Sequence, residues 1–149
     1  VRNQDIELHA RIRNAGGRFY FNPEIKSVYY ARNTVRKMLK QASQNGKWNP
    51  VVRRKNKSAL SVRHLVPFAF VTFTGVTTVL GFFQRFFWYL ETFVLTLHLC
   101  LGLMAAKKKT HHLSEIVRMP VLFMLLHLAY GTGYLFGLFY KREKGEKKE

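Results

Sequence analysis

The sequence predicts an α/β cytosolic piece followed by an α-helical membrane region of about three transmembrane helices. Charge is the first observation behind this. The 149 residues carry a net +17, yet residues 1–64 hold 15 Lys/Arg against three acids, while residues 65–106 hold only Arg85 and Glu91. Apolar content is the second: 48% of the chain is hydrophobic, gathered in long blocks, so the mean hydropathy of -0.12 averages two unlike halves. The third is what the composition excludes. Aromatic content of 15% argues against intrinsic disorder. A single cysteine, Cys100 in an apolar block, leaves no disulfide framework and no Cys-rich zinc site.

Residues 65–83 read LVPFAFVTFTGVTTVLGFF without a charge. As helix that block is ~28 Å long, close to the ~30 Å hydrocarbon core. Further blocks cover residues 86–106 and 119–140. All three lie too deep in the chain for a signal peptide. The expected organisation is therefore a folded piece over 1–50, a basic juxtamembrane linker over 51–64, membrane helices within 65–140, and a charged tail over 141–149. Short basic flanks collect on the cytosolic side, which places residues 1–64 and the Lys107-Lys108-Lys109 loop there and Arg85 outside. Three spans then put the tail's Lys141, Arg142, Lys144, Lys147 and Lys148 outside. One block, the Pro67-containing one first, is expected to be interfacial or re-entrant instead. Glu91, His98 and His127 mark an ion path or, as favoured, an interface position and interhelical hydrogen bonds. Gly133-xxx-Gly137 is a small-residue pair suited to close helix packing.

In the front piece, Asp5 and Glu7 open a short helix that Gly16-Gly17 stops. Residues 18–21 and 25–30 read as strands around an Asn22-Pro23 turn. Thr34 caps a second helix with Val35, Met38, Leu39 and Ala42 on one face, ended by Asn45-Gly46. These elements are too few for a self-sufficient core, so the chain, which begins at Val1, reads as the C-terminal part of a larger protein. His111-His112 lacks zinc-ligand spacing.

The series Arg2-Asn3-Gln4-Asp5-Ile6-Glu7-Leu8, Arg11-Ile12-Arg13, Ala15-Gly16-Gly17, Phe21-Asn22-Pro23 and Tyr29-Tyr30-Ala31-Arg32 resembles the second half of family 2 glycosyltransferases of GT-A type. The likeness continues through Gln41, Asn45-Gly46-Lys47-Trp48 and Arg63-His64-Leu65-Val66-Pro67. It is nearest to the membrane-anchored bacterial branch that includes succinoglycan and other exopolysaccharide enzymes, whose last helix the ending HLAYGTGYLFGLFY resembles. The resemblance implies an inverting transfer from a nucleotide-sugar to a lipid-linked or polysaccharide acceptor, at the cytosolic face of a bacterial inner membrane. Such a transfer needs a base to deprotonate the acceptor hydroxyl. By resemblance that base is Asp5, with Gln4 in the place of a second acid; from the residues alone Asp5 is a helix cap. Gln41, Lys47 and Trp48 resemble the family's Gln-x-x-Arg-Trp region on the acceptor and pyrophosphate side. Six residues separate Gln41 from Trp48 here, and Lys47 stands where arginine is common. Trp48 reads equally as an interfacial anchor.

The resemblance implies Mg²⁺ or Mn²⁺ in the full enzyme, but no Asp-x-Asp occurs and Asp5 is the only aspartate. The metal and donor sites are expected outside this chain, which alone is expected to be inactive. Arg53, Arg54, Lys55, Lys57 and Arg63 are expected to meet anionic headgroups. The rival reading is a small, basic, non-catalytic membrane subunit that holds a partner or anionic lipid; an upstream β-α region with Asp-x-Asp would decide against it. Nucleic acid is not an expected partner, since membrane spans already account for the basic charge.

Overall fold

The computed structural model describes residues 4–140. The described residues form five α-helices: α1 (Gln4–Asn14), α2 (Val35–Lys55), α3 (Val66–Gly81), α4 (Phe86–Lys107) and α5 (Leu113–Phe139). Two 3-10 turns, Lys57–Ala59 and Val62–Leu65, lead from α2 into α3. The charged tail, with its topological problem, lies outside the described residues.

Helix α1 forms as its ends predict. Asp5 and Glu7 stand in the first turn and Arg11 and Arg13 in the last, each sign against the opposite end of the helix dipole. Gly16 adopts φ +81°, and Gly17 N–H bonds to the Ile12 carbonyl while Gly16 N–H bonds to that of Arg13. This paired closure needs a residue tolerant of the left-handed region, which glycine supplies. Asp5 lies within the first described turn of the helix.

The expected α/β piece is not formed. Among the described residues there is no strand, and residues 18–33 run as irregular chain broken by a turn at Pro23-Glu24. Tyr20 and Tyr30 are 90% and 85% exposed. The residues have strand propensity, but propensity reports fit to a packed, pleated surface. A lone hairpin in water is marginal, and no element of this fold offers that surface.

Helix α2 departs from expectation differently. Thr34 caps it by accepting from Lys37 N–H, as anticipated, but Asn45-Gly46 does not end it. The helix runs on through the buried Pro50 to Lys55, taking in part of the supposed linker. Gly46 is there for contact, not termination: a Cβ would collide with the Tyr130 carbonyl of α5. On the facing helix, a Cβ on Gly133 would strike the Ser43 carbonyl, and one on Gly137 that of Lys47. Ser43 to Lys47 and Gly133 to Gly137 are matching four-residue steps, so α2 and α5 run parallel. Gly46, Asn49, Pro50, Val51 and Val52 are buried along this seam, with Tyr134 only 3% exposed opposite.

Three segments are long and apolar enough to cross a membrane: Val62–Gly81, Phe86–Lys107 and Leu113–Phe139. They match the expected blocks, with the third starting earlier and continuing through Pro120. Pro67 does not break α3, because it occupies the first turn, where its missing N–H has no helical partner to lose. Phe70 meets His98, and Thr78 donates to Glu91 at 2.9 Å, which makes α3 and α4 antiparallel. His98 against His127 and Gly102 against Pro120 make α4 and α5 antiparallel as well. Thr74, Thr77 and Thr78 return their hydroxyls to carbonyls one turn back, which lets three polar residues sit in an apolar helix.

Gly133→Ala is expected to destabilise the folded chain by about 1–3 kcal/mol, since a backbone must move to admit the methyl. Gly75→Ala has nothing within 4 Å of its new Cβ. It should instead be neutral or stabilising by up to about 1 kcal/mol. Thermal unfolding of both variants in detergent checks the contrast.

Candidate functional site

The anticipated site residues fall into two groups. Gln4 and Asp5 open α1, both exposed. Gln41, Lys47 and Trp48 lie on α2, the first and last seven residues apart and so near one helix face. Tyr140, just past α5, gathers two of them. The Lys47 ammonium lies 4.2 Å from the centre of the Tyr140 ring, and Trp48 meets the same ring edge-on at 5.7 Å. This arrangement holds a cation and an indole together at one end of the seam, while Gln41 stands two turns away. No hydrogen bond, ion pair or ring contact among the described residues joins Asp5 to this group.

Burial and hydrogen bonding fix the seam beneath Lys47 and Trp48. Asn49 is 1% exposed, and its side-chain amide donates to the Tyr130 hydroxyl. Burying an amide costs free energy unless it is paired, so the pair locks the register of α2 on α5. Arg54 gives α5 its C-terminal cap. Its guanidinium donates to the carbonyls of Gly137 at 3.0 Å and Tyr140 at 2.8 Å, and to that of Leu138. These are the carbonyls that a helix end leaves without partners, and a cation is favoured there. Sequence reasoning missed both. Arg54 was read as a headgroup contact within a polybasic run, and nothing in the spacing of Asn49 separated it from the polar residues around it.

A second place went unread. The last turns of α1 face the 3-10 turns before α3 across a cleft of ≈ 370 Å³. Its walls carry His9 and Arg13 from α1 and Arg63 and His64 from the turns. In sequence, Arg63 belongs to the run expected to meet anionic headgroups, and nothing there pairs it with Arg13.

Among the described residues no three His, Cys, Asp or Glu side chains come together as metal ligands. Glu7 is already paired with Arg11 at 3.0 Å. The residues present therefore do not fit the divalent metal that the glycosyltransferase resemblance implies. In the apolar bundle, Glu91 accepts from Thr78, and His98 and His127 lie 5.0 Å apart between ring centres. His127 uses Nδ1 on the Phe123 carbonyl one turn back. The interhelical hydrogen bonds expected of the histidines are not formed: His127 bonds a carbonyl of its own helix, and the buried His98 Nε2 has no hydrogen-bond partner among the described residues.

With this geometry in hand, the chain can be set beside known proteins. It is similar to the dolichyl N-acetyl-alpha-D-glucosaminyl phosphate 3-beta-D-2,3-diacetamido-2,3-dideoxy-beta-D-glucuronosyltransferase of Methanococcus voltae, with 26% identity over 138 residues. The alignment takes in 93% of this chain but 40% of the relative's length. No family model matches the chain, and no solved structure matches it. The likeness supports a link to glycosyltransferases.

Tyr130→Phe removes the hydroxyl that receives the Asn49 amide. A loss of about 0.5–1.5 kcal/mol is expected, read as a lower unfolding midpoint with the helical signal of the folded state unchanged.

Proposed function

We propose that this chain is the acceptor side and membrane anchor of an inverting, GT-A type glycosyltransferase that moves a sugar from a nucleotide-sugar to a lipid-linked acceptor. The observation that carries the reading is the alignment over nearly the whole chain with an enzyme whose name gives a sugar on dolichyl phosphate as its acceptor. Three helices long enough to cross a bilayer agree with an acceptor presented at a membrane surface. The basic flanks favour the cytosolic face of the cytoplasmic membrane. The nucleotide-sugar and its divalent metal are assigned to a part of the enzyme outside these residues.

Asp5 is the base in this reading. It is exposed in the first turn of α1 and reachable by an acceptor hydroxyl. An ionised carboxylate takes the hydroxyl proton as the oxygen attacks the anomeric carbon, and the nucleotide leaves from the opposite face. Lys47 and Trp48 supply a cation and a ring face for acceptor groups, with Gln4 and Gln41 as neutral hydrogen-bonding partners.

Asp5→Asn in the intact enzyme is expected to lower kcat by about 10²–10⁴-fold. The amide keeps the side chain's size, so the unfolding midpoint should move little. Turnover near wild type in a folded Asp5→Asn enzyme removes Asp5 from the chemistry and favours the non-catalytic anchor instead.

A further inference from the structure

We propose that the cleft between α1 and residues 57–64 is a phosphate site at the bilayer surface, and that it receives the phosphate of a prenyl-chain lipid. The inference rests on the lipid-linked acceptor proposed above and gives that acceptor a place. Its first support is charge. Arg13 and Arg63 line the cleft with His9 and His64, and no acid does. Among the described residues Arg11 pairs with Glu7 and neither cleft guanidinium has a carboxylate partner, while Arg13 lies 5.8 Å from the centre of the Phe19 ring. A guanidinium fork matches the oxygens of a phosphate and is the side chain suited to hold one.

The second support is that the walls are built rather than incidental. Asn14 Nδ2 donates to Ser58 Oγ at 3.0 Å, tying the end of α1 to the first 3-10 turn. Ser58 Oγ in turn donates to Asn56 Oδ1 at 2.7 Å. His64 is held through Nδ1, 3.0 Å from Ser61 Oγ, which leaves Nε2 for another partner. The cleft therefore offers a fixed amide and imidazole beside two guanidinia, a set that favours an oxyanion over an apolar ligand.

Location selects the lipid. The second wall, Val62–Leu65, runs without a break into α3 at Val66, within the first segment long enough to cross a membrane. A group in the cleft lies at the level where headgroups lie. Val62 and Val66 are 80% and 53% exposed beside it, which offers apolar surface to a chain leaving the phosphate. A nucleotide or free phosphate has nothing to place there. Along α1, Asp5 and Arg13 are eight residues apart, ~12 Å of helix, so a phosphate at Arg13 leaves room for a sugar to reach toward Asp5.

The test uses the intact enzyme in maltoside micelles, free of phospholipid, with farnesyl phosphate, farnesol and inorganic phosphate as probes. Calorimetric titration should show farnesyl phosphate bound more tightly than inorganic phosphate and farnesol not bound. Arg13→Gln and Arg63→Gln should each weaken farnesyl phosphate by ~10-fold or more, while Arg11→Gln, outside the cleft, leaves it unchanged. Should either Gln variant fail to fold, Arg13→Lys and Arg63→Lys, which keep the charge and lose the fork, should give a smaller loss. Wild-type affinity in all folded cleft variants, or no binding by the wild type, overturns the site. Equal affinity for inorganic and farnesyl phosphate overturns the lipid assignment. Asp5→Asn separates the two readings: it should lower kcat by about 10²–10⁴-fold and keep farnesyl phosphate affinity. A base that fails with a cleft that binds leaves the phosphate site standing.

Discussion

The approach of two backbones along α2 and α5 is the constraint on which the rest of the structure depends. Gly46, Gly133 and Gly137 are the positions where one helix lies on carbonyls of the other, with no space for a Cβ. Close contact at these three points brings the buried Asn49–Tyr130 pair within reach and sets Arg54 against the end of α5. It also places Lys47 and Trp48 around Tyr140. Loosen the seam and the cap, the buried amide and the cation–aromatic group go together. Small residues serve this purpose because they give dispersion contact without apolar bulk, which suits a helix whose other faces must meet α3, α4 and lipid.

The seam also bears on how the chain meets a membrane. Helix α2 carries Arg36, Lys37 and Lys40 near its start and Arg53, Arg54 and Lys55 at its end. Cations near both ends of a helix favour contact with water or headgroups over hydrocarbon. Pro67, which on sequence grounds was the expected irregularity, opens an uninterrupted α3 instead.

Legibility in the sequence followed the range of the interactions. Local rules read well: the glycine stop of α1, the Thr34 cap and the three apolar helices depend on neighbours within a turn or on composition. The failures were tertiary. Residues 18–30 have strand-like side chains, but a strand needs a second backbone, and none lies alongside among the described residues. Asn45-Gly46 and Pro50 look like helix stops, yet α2 passes through them because packing on α5 outweighs a local preference of about 1 kcal/mol for glycine and several for proline. The small-residue pair on α5 was visible, but not its partner, since nothing in a pattern of small residues names the helix opposite. For the site, Lys47 and Trp48 were legible as neighbours in sequence. Tyr140 and the opposed basic walls of the cleft were not, because tens of residues separate their halves.

The Arg54 cap joins a residue to a carbonyl 86 positions further along the chain. At synthesis rates of 5–20 residues per second, α2 leaves the ribosome on the order of ten seconds before the end of α5 exists. Throughout that interval α2 has no groove to occupy, and its glycine face and Asn49 stand open to whatever surrounds the nascent chain. The seam therefore closes only after α3, α4 and α5 have been made.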